Sequence, residues 1–133
     1  MFGSTMHKAG GLYAHVTWHT WRRTRAVVRA DIPLITAAIN EAASRTDARV
    51  LGIGILKDHV HVVMRHSPNR TLTGFIRHAK SESSRRANLR RAGEGMLRWG
   101  RGYYAASVSQ SHLEAARNYV GLQYRRHPDL IPE

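Results

Sequence analysis

Between Leu12 and Thr20 apolar Leu12, Ala14, Val16 and Trp18 alternate with Tyr13, His15, Thr17 and His19, the period-two pattern of a strand with one buried face. Arg49 to Leu56 (RVLGIGIL) and the valine-rich stretch from His59 to His66 predict two more strands, joined by a turn or bulge at Lys57-Asp58 and closed by Ser67-Pro68-Asn69. In the third of these strands Val60, Val62 and Met64 fall on one face, and His59 and His61 share the other. Tyr103 to Ser109 (YYAASVS) predicts a fourth strand, after a connector marked by Gly93, Gly95, Gly100 and Gly102 that holds Trp99.

Three stretches carry the helical period instead. Asp31 is placed to cap a helix that has Pro33 in its first turn and Leu34, Ile35, Ala38, Ile39, Ala42 and Ala43 on one side. From Thr71 to about Arg91 a long amphipathic helix directs Leu72, Phe75, Ile76, Ala79 and Ala87 inward and its arginines largely elsewhere. Ser111, with Glu114 three residues on, has the spacing of a capping box, and the helix it opens stops before Pro128, with Leu113, Ala116, Val120 and Tyr124 as its buried stripe. The order β-α-β-β-α-β-α is α+β: the ferredoxin-like (RRM-like) βαββαβ antiparallel sheet with an added C-terminal helix. Residues 1–11 are expected to be a flexible N-terminus and 12–133 a single domain. Two helices cover one sheet face, leaving the face of His59 and His61 for a ligand or for the added helix.

The charge changes the picture more than the length does. A chain of 133 residues with 21 Lys plus Arg against 9 Asp plus Glu carries a net +12, a balance that suits a polyanionic partner. Lysine occurs only at Lys8, Lys57 and Lys80, and arginine, with its planar fork, suits phosphate. The absence of cysteine excludes disulfides, thiolate metal sites and a cysteine nucleophile. No run is long enough for a signal peptide or a membrane span, so the expected setting is cytoplasmic, with no membrane partner.

Candidate chemistry lies in two places. Two imidazoles at i and i+2 on one strand face, His59 and His61, can hold one metal ion from one side, or can stand as half-exposed side chains on a wet sheet face. On the last helix Tyr119 and Gln123 sit one turn apart along one flank: a carboxamide oxygen can be a third ligand, and a tyrosine hydroxyl is a nucleophile once its phenolate is stabilised. Tyr103, Tyr104 and Tyr124 are rival nucleophiles. His15, Thr17 and His19 are expected as an ordinary polar sheet face or as lining of the same pocket, Trp18 as core, and Trp21 and Trp99 as core or as platforms for unpaired bases.

Asp58-His59-Val60-His61, followed by Tyr119-Val120-Gly121-Leu122-Gln123, resembles the HUH single-tyrosine transposases of bacterial insertion sequences, of the insertion-sequence 200/605 type, including the REP-associated tyrosine transposases. YAHVTWHTWRR (Tyr13 to Arg23) is similar to that family's first strand and basic turn, and RWGRGYYAASVS (Arg98 to Ser109) to its entry into the last strand. The resemblance implies an HUH nuclease/transposase domain over 12–133, in which His59, His61 and Gln123 hold a divalent ion, Mg²⁺ or Mn²⁺, and Tyr119 is the nucleophile. It further implies nicking and rejoining of single-stranded DNA through a 5′-phosphotyrosine, without a nucleotide cofactor, by a homodimer acting on hairpin or palindromic element ends. Arg22, Arg23, Arg25, Arg77, Lys80, Arg85 and Arg86 would hold DNA phosphates. Lys57 stands where the family pattern has proline, and a single His127 where many members carry paired histidines. A non-catalytic or domesticated single-stranded nucleic-acid-binding protein of the same fold is the alternative, although no strand carries the aromatic signature of RNA-recognition sheets.

Overall fold

The computed structural model describes residues 11–133, so all of the expected flexible N-terminus except Gly11 lies outside the described residues. Strand β1 (Leu12–His19) is followed by α1 (Ile32–Arg45), β2 (Arg49–Ile55), β3 (His59–His66), α2 (Leu72–Arg91) and β4 (Tyr104–Val108), then by α3 (Leu113–Gly121) and a one-turn α4 (Gln123–Arg126). The sheet order is β2-β3-β1-β4, and every neighbouring pair is antiparallel. This is the ferredoxin-like arrangement that the element order implies.

Alternation sorts the sheet residues as their polarity requires. Ala14, Val16 and Trp18 of β1 and Val60, Val62 and Met64 of β3 point to one side, where they pack with Ile35, Ile39 and Ala42 of α1 and Phe75, Ile76 and Ala79 of α2 into one core. Trp99 joins that core: its ring meets Trp18 edge to face at 6.1 Å and its indole N–H donates to Ser83 Oγ at 2.9 Å. Of the two tryptophans considered for base stacking, Trp99 is therefore structural.

Asp31 differs from expectation in an instructive way. It makes no side-chain cap on α1; it is fully buried, its carboxylate accepts from the Val28 N–H at 2.9 Å, and it pairs with Arg90 at 3.1 Å and Arg91 at 2.5 Å at the far end of α2. A buried carboxylate takes charged donors over a local cap because its desolvation has to be offset. The last helix also departs from the pattern. Ser111 lies in a 3-10 turn, Gln110–His112, with no capping bond, and the helix breaks at Leu122. Of its expected stripe Val120 is buried, Leu113 and Ala116 are half-buried, and Tyr124, beyond the break, is 37% exposed. No helix of the described residues is long and apolar enough to cross a membrane.

Candidate active site

The opposite sheet face belongs to the histidines. The β1–β3 register sets Thr17 beside His61 and His19 beside His59, so the polar residues of both strands form one surface at the centre of the sheet. Helix α3 crosses this surface over β2 and β3. It can approach because Gly54, the β2 neighbour of His61, has no side chain: a Cβ there would lie 3.2 Å from Val120 Cγ1 and 3.2 Å from the Val120 carbonyl oxygen. Gly52 and Gly54 repeat at strand spacing on the histidine face, a signal present in the sequence for a close approach by another element.

At the centre, His59 Nε2 and His61 Nε2 face each other 3.1 Å apart, with the two rings nearly perpendicular. His59 Nδ1 lies 2.7 Å from Asp58 Oδ1, so its N–H donates to the carboxylate and Nε2 carries the lone pair. His61 Nδ1 is 2.9 Å from His15 Nε2 and 3.2 Å from Thr17 Oγ1, either of which can accept its proton and leave Nε2 of His61 as a lone pair too. Burial, and then the neighbouring imidazoles of His59, His15, His19 and His127, hold the His61 pKa down at about 3. Burial lowers those of His15 and His19 as well, with Arg23 adding to the effect on His19.

Two converging lone pairs on neutral imidazoles repel unless a cation or a proton stands between them, which is the donor chemistry of a divalent-ion site. Among the described residues no group of three or more His, Asp or Glu side chains is arranged to hold a metal, so a third ligand has to be of another type. Gln123 is buried beside Gly54, the β2 neighbour of His61: it is 2% exposed, packs its Cγ 3.8 Å from where a Gly54 Cβ would be, and donates from Nε2 to the Tyr119 carbonyl at 3.0 Å. The residues present therefore fit a divalent cation bound by two nitrogens and a carboxamide oxygen.

Tyr119 comes to the same place. Its ring stands edge-on to His61 at 5.8 Å and to His15 at 5.9 Å, the Arg126 guanidinium lies 5.3 Å from the ring centre, and the side chain remains 40% exposed. The rivals are placed differently. Tyr124 donates its hydroxyl to the Ile55 carbonyl at 2.7 Å, and burial raises its pKa, so it is tied to the edge strand. Tyr103 belongs to the helix side of the sheet, its hydroxyl 3.4 Å from Thr73 Oγ1. Tyr104 shares the histidine face, in register with Thr17 and one strand further from His61.

The residues expected at phosphates are dispersed. Arg22 and Arg23 follow β1 in a turn with φ of 56° and 55°, exposed, beside Trp21, whose ring is covered by the Arg98 guanidinium at 4.0 Å. Arg25 pairs with Asp129 at 3.3 Å where both are well exposed. The α2 residues lie on the far side of the sheet from Tyr119. There Arg85 is held by Glu82 and Arg86 by Glu41 and Glu82, Lys80 donates to the carbonyls of Gly100 and Gly102 at 2.7 and 2.9 Å, and Arg77 is exposed and makes no ion pair among the described residues.

A family model described as transposase, IS200-like, matches residues 8–123. No curated protein matches the chain. Among solved structures, a candidate transposase from Deinococcus radiodurans R1 superposes with a TM-score of 0.63 at 20% identity, covering 85% of this chain and 91% of that one. A REP-associated tyrosine transposase bound to a REP hairpin superposes with a TM-score of 0.68 at 12% identity, covering 89% of this chain and 68% of that one. At these identities the two structures speak for the fold.

Proposed function

The chain belongs to the IS200-like transposase family, and from that premise we propose that it cuts and rejoins single-stranded DNA through a covalent bond to Tyr119. The observation that carries this reading is the meeting of an exposed tyrosine with a pair of facing histidines: Tyr119 stands 5.8 Å from His61, whose Nε2 faces that of His59 at 3.1 Å. In the reaction the Tyr119 oxygen attacks phosphorus, the phosphorus–O3′ bond breaks, the tyrosine proton leaves and the 3′ oxygen takes one up. The products are a 5′-phosphotyrosine and a free 3′-hydroxyl. One phosphodiester is exchanged for another, so the bond energy is kept and no nucleotide cofactor enters.

His59, His61 and Gln123 would hold Mg²⁺ or Mn²⁺, which supplies positive charge to the scissile phosphate and its leaving oxygen. The chain's own groups do the rest. Asp58 fixes the His59 ring through Nδ1, Thr17 and His15 orient His61, and Arg126 packs over the ring of Tyr119. Arg22, Arg23 and Arg77 are the better phosphate contacts, since Arg85 and Arg86 would first have to give up their carboxylates. The hairpin bound to the REP-associated neighbour supports hairpin-bearing or palindromic element ends as the DNA. We take the working unit to be a homodimer, and mixing His59→Ala with Tyr119→Phe protein reads the assembly: cleavage restored only in the mixture means that the tyrosine of one copy serves the histidines of the other.

The test is a denaturing gel of labelled single-stranded DNA from the gene's flanks, with Mn²⁺ or EDTA. A slow, protease-sensitive band requiring both the metal and Tyr119 supports the reading. A band that persists in Tyr119→Phe assigns the wrong tyrosine, and a bound strand that forms no band points to the non-catalytic binder.

A further inference from the structure

Helix α3, which carries Tyr119, is weakly held by its own side chains: of its nine residues only Val120 is buried, and it ends at the break at Leu122. The chain beyond it is tied down instead. A one-turn helix, Gln123–Arg126, and a 3-10 turn, Pro128–Leu130, are joined at His127, whose N–H donates to the Gln123 carbonyl at 2.8 Å and whose carbonyl accepts from the Leu130 N–H at 3.0 Å. This segment closes the outer side of β2, an edge strand of the sheet. Leu56 turns its N–H inward to the His59 carbonyl at 2.9 Å, whereas the residues on either side of it are bonded from outside. The Ile55 carbonyl accepts from the Tyr124 hydroxyl at 2.7 Å, and the Lys57 N–H donates to the Leu130 carbonyl at 2.8 Å. The Lys57 carbonyl accepts in turn from the Val27 N–H at 3.0 Å, the Arg29 N–H donates to the Glu133 carbonyl at 3.0 Å, and Pro132 is buried.

Lys57 stands where the family pattern has proline, and proline has no N–H to give to Leu130. The lysine side chain accounts for less, since its ammonium lies 3.7 Å from a Glu133 carboxylate that is 84% exposed, a pair that contributes little. The next residue, Asp58, holds the His59 ring through Nδ1. One turn therefore orients the histidine pair on one side and receives the segment that follows the tyrosine on the other. We infer that Lys57 is a positioning residue for Tyr119: its backbone N–H anchors the segment from Gln123 to Leu130, and that anchor sets where α3 presents the tyrosine beside His61. The inference rests on Tyr119 being the nucleophile and adds how this chain brings it into register with the histidines.

The experiment compares the full chain with Lys57→Pro, which deletes the N–H, and Lys57→Ala, which keeps it and deletes only the ion pair. Three quantities are read: hydrogen exchange of peptides spanning 123–133, Mn²⁺ affinity, and the single-turnover rate of the Tyr119 adduct as single-stranded DNA is raised to saturation. In Lys57→Pro the exchange of the segment is expected to rise by about 5-fold or more, the effect of one lost hydrogen bond. Its saturated rate is expected to fall by about 10- to 100-fold, as for a nucleophile displaced by up to about 1 Å, with the half-saturating DNA concentration and the Mn²⁺ affinity unchanged. Lys57→Ala should match wild type throughout. Should Lys57→Pro fail to fold, Arg29→Pro takes its place: it removes the N–H given to Glu133, and Val28 before it is already extended, at φ −112° and ψ 166°, as a residue preceding proline must be. A looser segment with an unchanged rate overturns the inference, as does equal slowing in Lys57→Ala or a fall in Mn²⁺ affinity that accounts for the slowing. No adduct in wild type overturns the catalytic reading together with this one, whereas a wild-type adduct that forms equally fast in Lys57→Pro overturns this one alone.

Discussion

On the helical side of the sheet each arginine between Arg85 and Arg91 has a carboxylate within 3.1 Å, whereas on the other side the basic groups face one another. There His59, His61, His15 and His19 converge with one carboxylate, Asp58, at the edge, and their mutual proximity and burial keep His61 uncharged. The first arrangement is what stability favours: opposite charges paired across α1 and α2, with the cost of burial offset. The second lowers stability, since His61 and His15 lose hydration and gain no counter-charge. A fold retains such a cluster where something else binds it, so the pairing of charges, more than their number, separates the scaffold from the site.

The sharpest way to break this contrast is Tyr119→Phe. The ring stays against His61 and only the hydroxyl is lost, so adduct formation is expected to fall by about 10⁴-fold or more, with the melting temperature unchanged. Loss of stability in this variant would make Tyr119 part of the scaffold.

Arg91→Ala is the corresponding change on the other face. It removes the closest partner of the fully buried Asp31 carboxylate, but the Arg90 pair and the Val28 N–H remain. A loss of about 3 kcal/mol is expected, the low end for an unpaired buried charge, measured by urea unfolding. The adducts formed per folded molecule should match those of wild type.

On the histidine face, at Gly54, the scaffold decides how near the nucleophile comes. In Gly54→Ala the new Cβ meets backbone at 3.2 Å, and α3 has to lift. We expect about a 100-fold slower adduct from a displacement near 1 Å and a destabilisation of about 1 to 3 kcal/mol from overpacking. Equal rates in Gly54→Ala and wild type would show that the helix is not held by this contact.

These variants also mark what the sequence made legible. The strands and the first two helices follow from period two and period 3.6, because burial on one face is a local pattern. The histidine pair was visible for the same reason. What escaped were properties settled between distant residues. Asp31 has the spacing of a cap, yet its partners lie 59 and 60 residues away; Arg86 reads as a free phosphate ligand until Glu41 meets it across the helix pair. Regular periodicity also sets Tyr119 and Gln123 side by side on one continuous helix. The break at Leu122 separates them into a 40% exposed tyrosine and a 2% exposed amide, a division of labour that spacing alone does not contain.

Tyr124→Phe gives a smaller effect and bears on the choice of nucleophile. The variant loses one hydrogen bond to the Ile55 carbonyl, so about 1 kcal/mol of stability should go while the adduct at Tyr119 persists. Disappearance of the adduct would move the chemistry from one tyrosine to the other.

The finest test asks whether the paired charges behave as scaffold. Arg85 and Arg86 hold the Glu82 pKa at about 2, against the ordinary 4.5, and Arg86 and His78 lower that of Glu41. The folded protein thus binds fewer protons than the unfolded chain over this interval, so the contribution of Glu82 is complete above pH 4.5 and is lost as the pH falls towards 2. The stability gap between wild type and Glu82→Gln, followed by chemical denaturation, should narrow over that window and narrow further in high salt, because these side chains are well solvated. A gap that holds constant through the window would mean that Glu82 contributes through packing, and the contrast between a charge-paired face and an unpaired one would then rest on Asp31 and Glu41.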